Sequence, residues 1–514
     1  MNFLGTVIAS SYPPGPTTSN FSFVVTNNEP IPVRKGQFVQ INTEDGLLLG
    51  MVQEIVKTNR FYSHPEYVRE YERGGQPLTS IFPCDRWDML IANVKPLGVF
   101  TNGIFDKVSF PPSPGEKVYI ADDEVLINLL GLDVENGLNL GSLRFHDLPA
   151  SLNMTRLLQK HLAILAMSGS GKSYLATVII EELLSRKPES GRVAVIIVDV
   201  HGEYSSIANK PEKNDQLDLS EKVTVIKSPF VQFATPLISN RWFGTFQPEM
   251  SPIQVRELGR IITEMRREHQ NKSYSLKDLL NYIENDAKIP QRSKEALLGW
   301  LYELEETDLF GTEEAPNLEN LVKPGHAIIL DLSEATSLKK KQLIVAYIAT
   351  RLFALRRRGV IPPFTMILEE AHQFCPQARQ ELAISQKIIE QIAREGRKFY
   401  ASLCLISQRP VRLSTTILSQ ANTHIILRIS NPNDLDTIKA SSEMITSEII
   451  SMITSLPVGE ALIVGSAVNY PIFVKIRQRY TKESSYEVDL EKAAKIFEEQ
   501  SNPEETNKIA KKTL

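Results

Sequence analysis

The stretch Ile164 to Ser173 reads ILAMSGSGKS, which places two glycines, a lysine and a serine at the spacing of a phosphate-binding loop, G-x-x-x-x-G-K-[ST]. Ala166 stands where that pattern begins with glycine. The substitution is expected to be tolerated. Gly169 and Gly171 let successive backbone N–H groups curl around a β-phosphate, whereas the first position mainly turns the chain out of a strand. Lys172 would then neutralise the β- and γ-phosphates, and Ser173 would offer its hydroxyl to Mg²⁺. An apolar strand-like run, HLAILAM, precedes the loop, and a helix-like run, YLATVIIEELL, follows it, which is the strand-loop-helix context the chemistry needs. Ser168, Gly169, Ser170, Gly171, Lys172, Ser173 and Tyr174 are the candidate nucleotide-binding residues.

Cleaving a bound nucleotide requires an acid on a neighbouring strand. FTMILEEAHQF supplies Glu369 and Glu370 at a strand end. Glu369, where aspartate is more usual, is expected to orient Mg²⁺ through water, and Glu370 to polarise the attacking water. ASLCLIS ends in Ser407-Gln408-Arg409-Pro410, so Gln408 is either a sensor of the γ-phosphate or a buried structural amide. Asp199, His201 and Glu203 close VIIVDVHGEY; three ligands on one short turn more often form a hydrogen-bonded strand end than a metal site, and no metal beyond Mg²⁺ is expected. In SQKIIEQIAREGRKF, Lys387, Arg394, Arg397 and Lys398 lead toward a helix C-terminus. They either complement the helix dipole or present an arginine to the nucleotide of a neighbouring subunit. Arg156 is a weaker candidate for a second such arginine.

These residues must be held by more than one domain. A chain of 514 residues suggests roughly three. Residues 1–112, with FSFVV, QFVQI and GLLLGMVQEIV between Pro, Gly and Asn turns, read as a small β-barrel or sandwich, and FPPSPGEKV as its edge. From 120 to 480 the strands HLAILAM, VAVIIVDV, AIILDL, TMILEE and SLCLIS alternate with helical stretches, which predicts a parallel α/β sheet. An all-helical insertion is expected over 243–312: Ser251, Pro252 and Gln254 form a capping signature, Ser275 with Asp278 a second, and Lys294 to Leu304 a third helix. Residues 484–514 predict an amphipathic C-terminal helix in need of something to pack on.

Lys and Arg number 57 against 61 Asp and Glu, a net charge of -4, so any nucleic-acid contact must be a local patch or a channel. Cys84, Cys375 and Cys404 form no C-x-x-C pair, which argues against a disulfide framework or structural zinc and fits a reducing, cytoplasmic location. MNFLGTVIASSYPPG lacks a basic leader, and no apolar run approaches the ~18 residues that span a bilayer, so no membrane association is expected.

AMSGSGKS, VDVHGEY, ILEEAHQF, REGRKFY, ISQRP and LPVGEALIVG together resemble, in order and spacing, the HerA family of archaeal and bacterial DNA translocases, relatives of FtsK. The resemblance covers nearly the whole chain. It implies an α/β fold with a RecA-like P-loop ATPase core, an N-terminal HAS-type β-barrel, a helical insertion and a C-terminal brace on the next subunit. It further implies a homo-hexameric helicase that hydrolyses ATP with Mg²⁺ to pump double-stranded DNA through its pore. Such a ring works with the nuclease NurA, docked at the barrel, in DNA end resection beside Mre11–Rad50. Residue by residue, the resemblance makes Lys172 and Ser173 nucleotide binders, Glu370 the catalytic base, Gln408 the γ-phosphate sensor and Arg394 or Arg397 the trans finger, with Arg394 preferred. The resemblance does not map the DNA contacts onto this sequence, and the basic residues near Lys210 and Lys213 stand as candidates only.

Two other readings compete. An AAA+ protein unfoldase also carries an N-terminal barrel on a ring, but Lys172 and Glu370 lie farther apart than a compact AAA+ module allows. A scaffold that binds ATP only to recruit a nuclease would have no use for Glu370. A transporter-type ABC ATPase is disfavoured because no LSGGQ-like run occurs.

Overall fold

The computed structural model describes residues 2–482 apart from 10–14, 27–32, 60–61, 63, 74, 76–86, 212–215, 269–272, 288, 378–382 and 443, together with 490–491 and 494–495. The expected brace, 484–514, therefore falls almost wholly outside the described residues, as do Lys213 and Cys84. The chain forms two compact units, Met1–Leu157 with Thr423–Arg477, and Leu158–Asn422 with Gln478–Leu514. No helix among the described residues is long and apolar enough to cross a membrane.

In the first unit, β1 (Phe3–Ile8), β2 (Phe21–Val25), β3 (Phe38–Thr43), β4 (Gly46–Thr58), β5 (Met89–Thr101), β6 (Ile104–Asp106) and β7 (Lys117–Ile120) pair in the order β2-β1-β7-β3-β4-β5-β6. β2 also pairs antiparallel with β5, Phe21 opposite Val94 and Phe23 opposite Ala92. That contact closes the sheet into a barrel of six strands with β6 as an outlying hairpin arm. Leu4, Phe21, Phe23, Val39, Ile41, Leu48, Val52, Val94 and Val118 fill its interior. Closure needs bent strands. The bends are the register breaks of β4 against β5 at Leu49/Gly50 and Val52/Glu54. A β-carbon on Gly50 would stand 2.5 Å from Val94 Cγ1, so glycine is required at the first break. The barrel runs past the expected edge at 112, because β7 bridges β1 and β3; its four residues are too short to announce a strand by periodicity.

β8 (Leu138–Leu143) and β9 (Pro149–Leu152) follow, and the chain enters the second unit. There β10 (Leu162–Leu165), β11 (Ala194–Asp199), β12 (Val223–Lys227), β15 (Ala327–Asp331), β16 (Phe364–Leu368) and β17 (Ala401–Ser407) form a sheet in the order β12-β15-β11-β16-β17-β10. Every pairing in it is parallel. Strands β10, β11, β15, β16 and β17 are buried at every residue, which is why they read as continuous apolar runs rather than alternating ones. β18 (Thr423–Ile426), β19 (Glu460–Gly465) and β20 (Ile472–Ile476) return to the first unit and pair antiparallel in the order β18-β19-β20-β8-β9. The stretch expected as one core, 120–480, is thus divided between the two units.

The insertion holds helices Asn240–Phe246, Pro252–Glu268, Leu276–Asn285 and Gln291–Glu305. Both capping signatures form. Ser251 N donates to Gln254 Oε1 at 2.7 Å, and Ser275 and Asp278 exchange reciprocal bonds. A short parallel pair, β13 (Phe233–Ala234) with β14 (Phe310–Gly311), ties the two ends of the insertion together, and Phe233 stacks on Tyr347 with ring centroids 4.1 Å apart.

Candidate nucleotide site

Six parallel strands share one C-terminal edge, where open α/β sheets bind their ligands. β10 feeds the loop there. Ala166 is fully buried, its N–H continues the ladder to Ser407 O at 3.2 Å, and its φ is not positive, so nothing at this position calls for glycine. The demand falls on Gly169 and Gly171, with φ of 74° and 96°. Ser170 is buried and its hydroxyl donates to Met167 O at 2.6 Å, which cinches the turn. Lys172 opens the P-loop helix, Lys172–Ser185, whose unpaired N-terminal N–H groups face the loop. Ser168 and Gly169 are exposed at the loop tip; Ser173 and Tyr174 are half-buried on the first turn.

β17 lies between β10 and β16, so the two glutamates approach the loop across one intervening strand. Glu369 N still pairs with Val198 O, but Glu370 turns into the left-handed region, φ 46° and ψ 48°. A non-glycine residue rarely holds that conformation, and here it turns the carboxylate toward the loop. Lys172 Nζ meets Glu370 Oε1 at 3.3 Å, and His372 Nδ1 meets Glu370 Oε2 at 3.3 Å. Burial holds the His372 imidazole below its usual range, against the opposing pull of Glu370.

Glu369 is held by the end of β11. Its Oε2 accepts from Val200 N at 2.9 Å and His201 N at 3.4 Å, while Oε1 is buried without a hydrogen-bond partner. Burial, then the charges of Asp199 and Glu203, push its carboxyl up to about 8. Asp199 is fully buried and accepts from the N–H groups of Gly202, Glu203 and Tyr204 at 2.7, 3.0 and 2.9 Å. The Asp199 end of VDVHGEY is therefore the hydrogen-bonded strand end, and burial raises its carboxyl as well. Lys341 Nζ donates to Val200 O at 3.1 Å beside this cluster.

Mg²⁺ fits these residues. Ser173 and Glu369 would hold it, the orphaned buried oxygen Glu369 Oε1 being an acceptor awaiting a cation. Among the described residues no group of three or more His, Cys, Asp or Glu could hold a metal ion.

Gln408 follows β17 at the same edge and is half-buried. Arg394 and Arg397 lie on the helix Gln386–Phe399 with both side chains exposed; Arg394 donates one turn back to Glu390 O at 3.3 Å and to Glu390 Oε2 at 3.4 Å. Arg156 is committed within the first unit, donating to Ser466 O, Asn469 Oδ1 and Gly131 O at 2.8, 2.7 and 3.3 Å. The Tyr174 hydroxyl accepts from the backbone N–H of Arg479 at 2.8 Å, so this expected nucleotide contact holds the protein's own chain. Lys210 is exposed.

Two features escaped sequence reasoning. Glu181, fully buried on the P-loop helix, accepts from Tyr480 N, Thr481 N and Thr481 Oγ1 at 2.8, 2.7 and 2.8 Å, strapping the segment beyond β20 to that helix. His161, just before β10, bonds Ala393 O at 2.9 Å through Nε2 and accepts from Leu403 N at 3.0 Å through Nδ1, so it is neutral with its proton on Nε2. A charged residue amid an apolar helical run, Glu181 in IIEELL, is the one local signal that could have pointed to the first.

Residues 138–352 match the central domain of the HerA helicases. Over those residues the chain is similar to the HerA helicases. A probable helicase of Methanocaldococcus jannaschii is 29% identical over 469 residues, covering 86% of each chain. The DNA double-strand break repair helicase HerA of Pyrococcus furiosus is 27% identical over 509 residues, covering 88% of this chain and 90% of the relative. Among solved structures, VirB4 of Thermoanaerobacter pseudethanolicus superposes with a TM-score of 0.51 at 16% identity, covering 70% of this chain and all of that one, a likeness of fold. The P-loop and the paired glutamates are thus carried by one parallel edge.

Proposed function

We infer that this chain is a HerA-family, ATP-driven translocase or helicase of double-stranded DNA, acting in DNA end resection and repair. The observation that carries it is the meeting of Lys172 and Glu370 at 3.3 Å beside a loop opened by Gly169 and Gly171. A nucleotide-gated scaffold would need the lysine but not a buried acid in a strained backbone aimed at it. The names of the relatives supply the DNA and the repair.

In this reading Lys172 leaves Glu370 for the phosphates, and Glu370, released, accepts a proton from the attacking water. Ser173 and Glu369 would hold Mg²⁺, which when bound would neutralise phosphate charge. Gln408 reports the γ-phosphate at the end of the strand between loop and acid. Arg394 or Arg397 completes the site of a neighbouring subunit, which makes the working form a ring, a homo-hexamer by family resemblance. The barrel docks a NurA-type nuclease, with Mre11–Rad50 acting on the same ends.

Measuring ATP turnover with and without linear duplex DNA, and with and without the nuclease, tests the proposal. DNA-stimulated turnover is expected. ATP binding with no turnover under any of these conditions would leave the scaffold reading in its place. The family match and the DNA-repair names of the relatives speak against the AAA+ unfoldase.

A further inference from the structure

The first two insertion helices, Asn240–Phe246 and Pro252–Glu268, and the start of the helix Gln386–Phe399 enclose an open pocket of about 590 Å³. Three cations line it, Arg241, Arg256 and Lys387, all exposed, and no acidic side chain does. Glu257 and Glu264, near Arg256 in sequence, are engaged by Arg260, and Glu390, near Lys387, by Arg394, while Glu249, the acid nearest Arg241 in sequence, does not line the pocket. Among the described residues none of the three lining cations forms an ion pair.

Two helix beginnings add to the same sign of field. Pro252 is the first residue of its helix and Lys387 the second of its own, and neither helix carries an acid in its first turn. The pocket is also shaped by two glycines. A β-carbon on Gly259 would stand 2.6 Å from Asn240 Nδ2, and one on Gly244 would stand 2.9 Å from Val255 Cγ2, so the close approach of the two insertion helices that forms the floor depends on both.

In a chain whose net charge is -4, three uncompensated cations around one concavity are a local exception of the kind that phosphate recognition requires. We propose that this pocket is a binding site for the phosphodiester backbone of nucleic acid, contacted by Arg241, Arg256 and Lys387. It is distinct from the P-loop, and its open, shallow form suits a polymer passing across it. The identity of that polymer as duplex DNA rests on the function inferred above.

The test is the salt dependence of duplex binding by the full chain. Each phosphate contact contributes about 0.9 to the slope of log K against log salt. The double variant Arg241→Ala, Arg256→Ala should lower that slope by about two and weaken binding equally on unrelated sequences, while ATP turnover without DNA stays at the wild-type level. Arg241→Lys with Arg256→Lys should restore most of the slope, which a merely structural defect would not. An unchanged affinity and slope in the alanine variant would overturn the proposal, as would loss of DNA-independent turnover. If the wild-type chain itself binds no DNA, the functional reading fails first.

Discussion

The ammonium of Lys172 stands 3.3 Å from Glu370 Oε1, both side chains largely out of solvent at 13% and 2% exposure. The lysine that must meet phosphate and the acid that must meet water are each other's partners before either ligand arrives. Neither charge is left uncompensated in a half-dry site, and the arriving phosphate has to compete the lysine away.

Glu370→Gln removes that competition along with the proton acceptor. The variant should bind ATP at least as tightly as wild type and hydrolyse it at least ~10²-fold more slowly. Lys172→Ala should lose turnover altogether. Isothermal titration alongside phosphate release checks both, and wild-type turnover in Glu370→Gln would remove Glu370 from the chemistry.

Arg394 and Arg397 point away from their own core into solvent. If one of them reaches a neighbour's nucleotide, Arg394→Ala with Arg397→Ala should cost ~10³-fold or more in turnover. Mixing that variant with Glu370→Gln should restore part of the rate, because some interfaces then pair an intact acid with an intact arginine. Full activity in isolated monomers would rule the arrangement out.

His161 gives a pH dependence whose sign is fixed by its bonds. Burial lowers its imidazole from 6.5 to about 4 in the folded chain. Between those values the unfolded chain takes up a proton that the folded chain refuses, so this contribution is complete above pH 6.5 and is lost as the pH falls toward 4, at most ~3 kcal/mol in all. His146, half-buried and lowered to about 4 likewise by its desolvation, adds a parallel loss. His161→Gln should therefore be less stable than wild type at pH 8 but show a shallower fall in melting temperature on acidification. Equal slopes would mean that His161 titrates normally in the fold.

Glu181→Ala would strand the N–H groups of Tyr480 and Thr481 in a buried place, a loss of roughly 1–3 kcal/mol for each unsatisfied group. The expected outcome is selective release of the segment after Ile476, read as faster proteolysis there while the P-loop helix stays protected from hydrogen exchange. Glu181→Gln keeps an acceptor and should fall between the two.

Removing the barrel should abolish nuclease binding and spare part of the basal ATP turnover. The cut belongs after Ile120, since ending at 112 would leave β7 without β1 and β3 and would expose its edge. Normal resection by the truncated chain would show that the nuclease docks elsewhere.

Sequence reading succeeded where the signal is local. The loop glycines, the capping pairs Ser251/Gln254 and Ser275/Asp278, and the buried strands all write their chemistry into neighbouring residues. It fell short where partners are far apart in the chain. Glu181 meets Thr481 across 300 positions and Leu403 meets His161 across 242, and no periodicity encodes either. The left-handed turn at Glu370 was equally hidden, because nothing in LEEAH distinguishes a carboxylate turned to the loop from one left in solvent. Tyr174 and Arg156 were placed near phosphate by proximity in sequence, yet their polar atoms are spent on Arg479 and on Ser466 and Asn469.

Among the described strands, the pairing of β2 with β5 closes the barrel and leaves outside the ring of ladders the three-residue β6 arm and the far part of β4, which runs on past its pairing with β3 at Met51. Where the ladders close, a visitor cannot extend this sheet by lending it a strand. A partner docking on that closed wall, as proposed above, would have to be read by side chains that the interior does not need. Selection can rewrite such an address letter by letter, so related chains can keep one architecture while exchanging the company they keep.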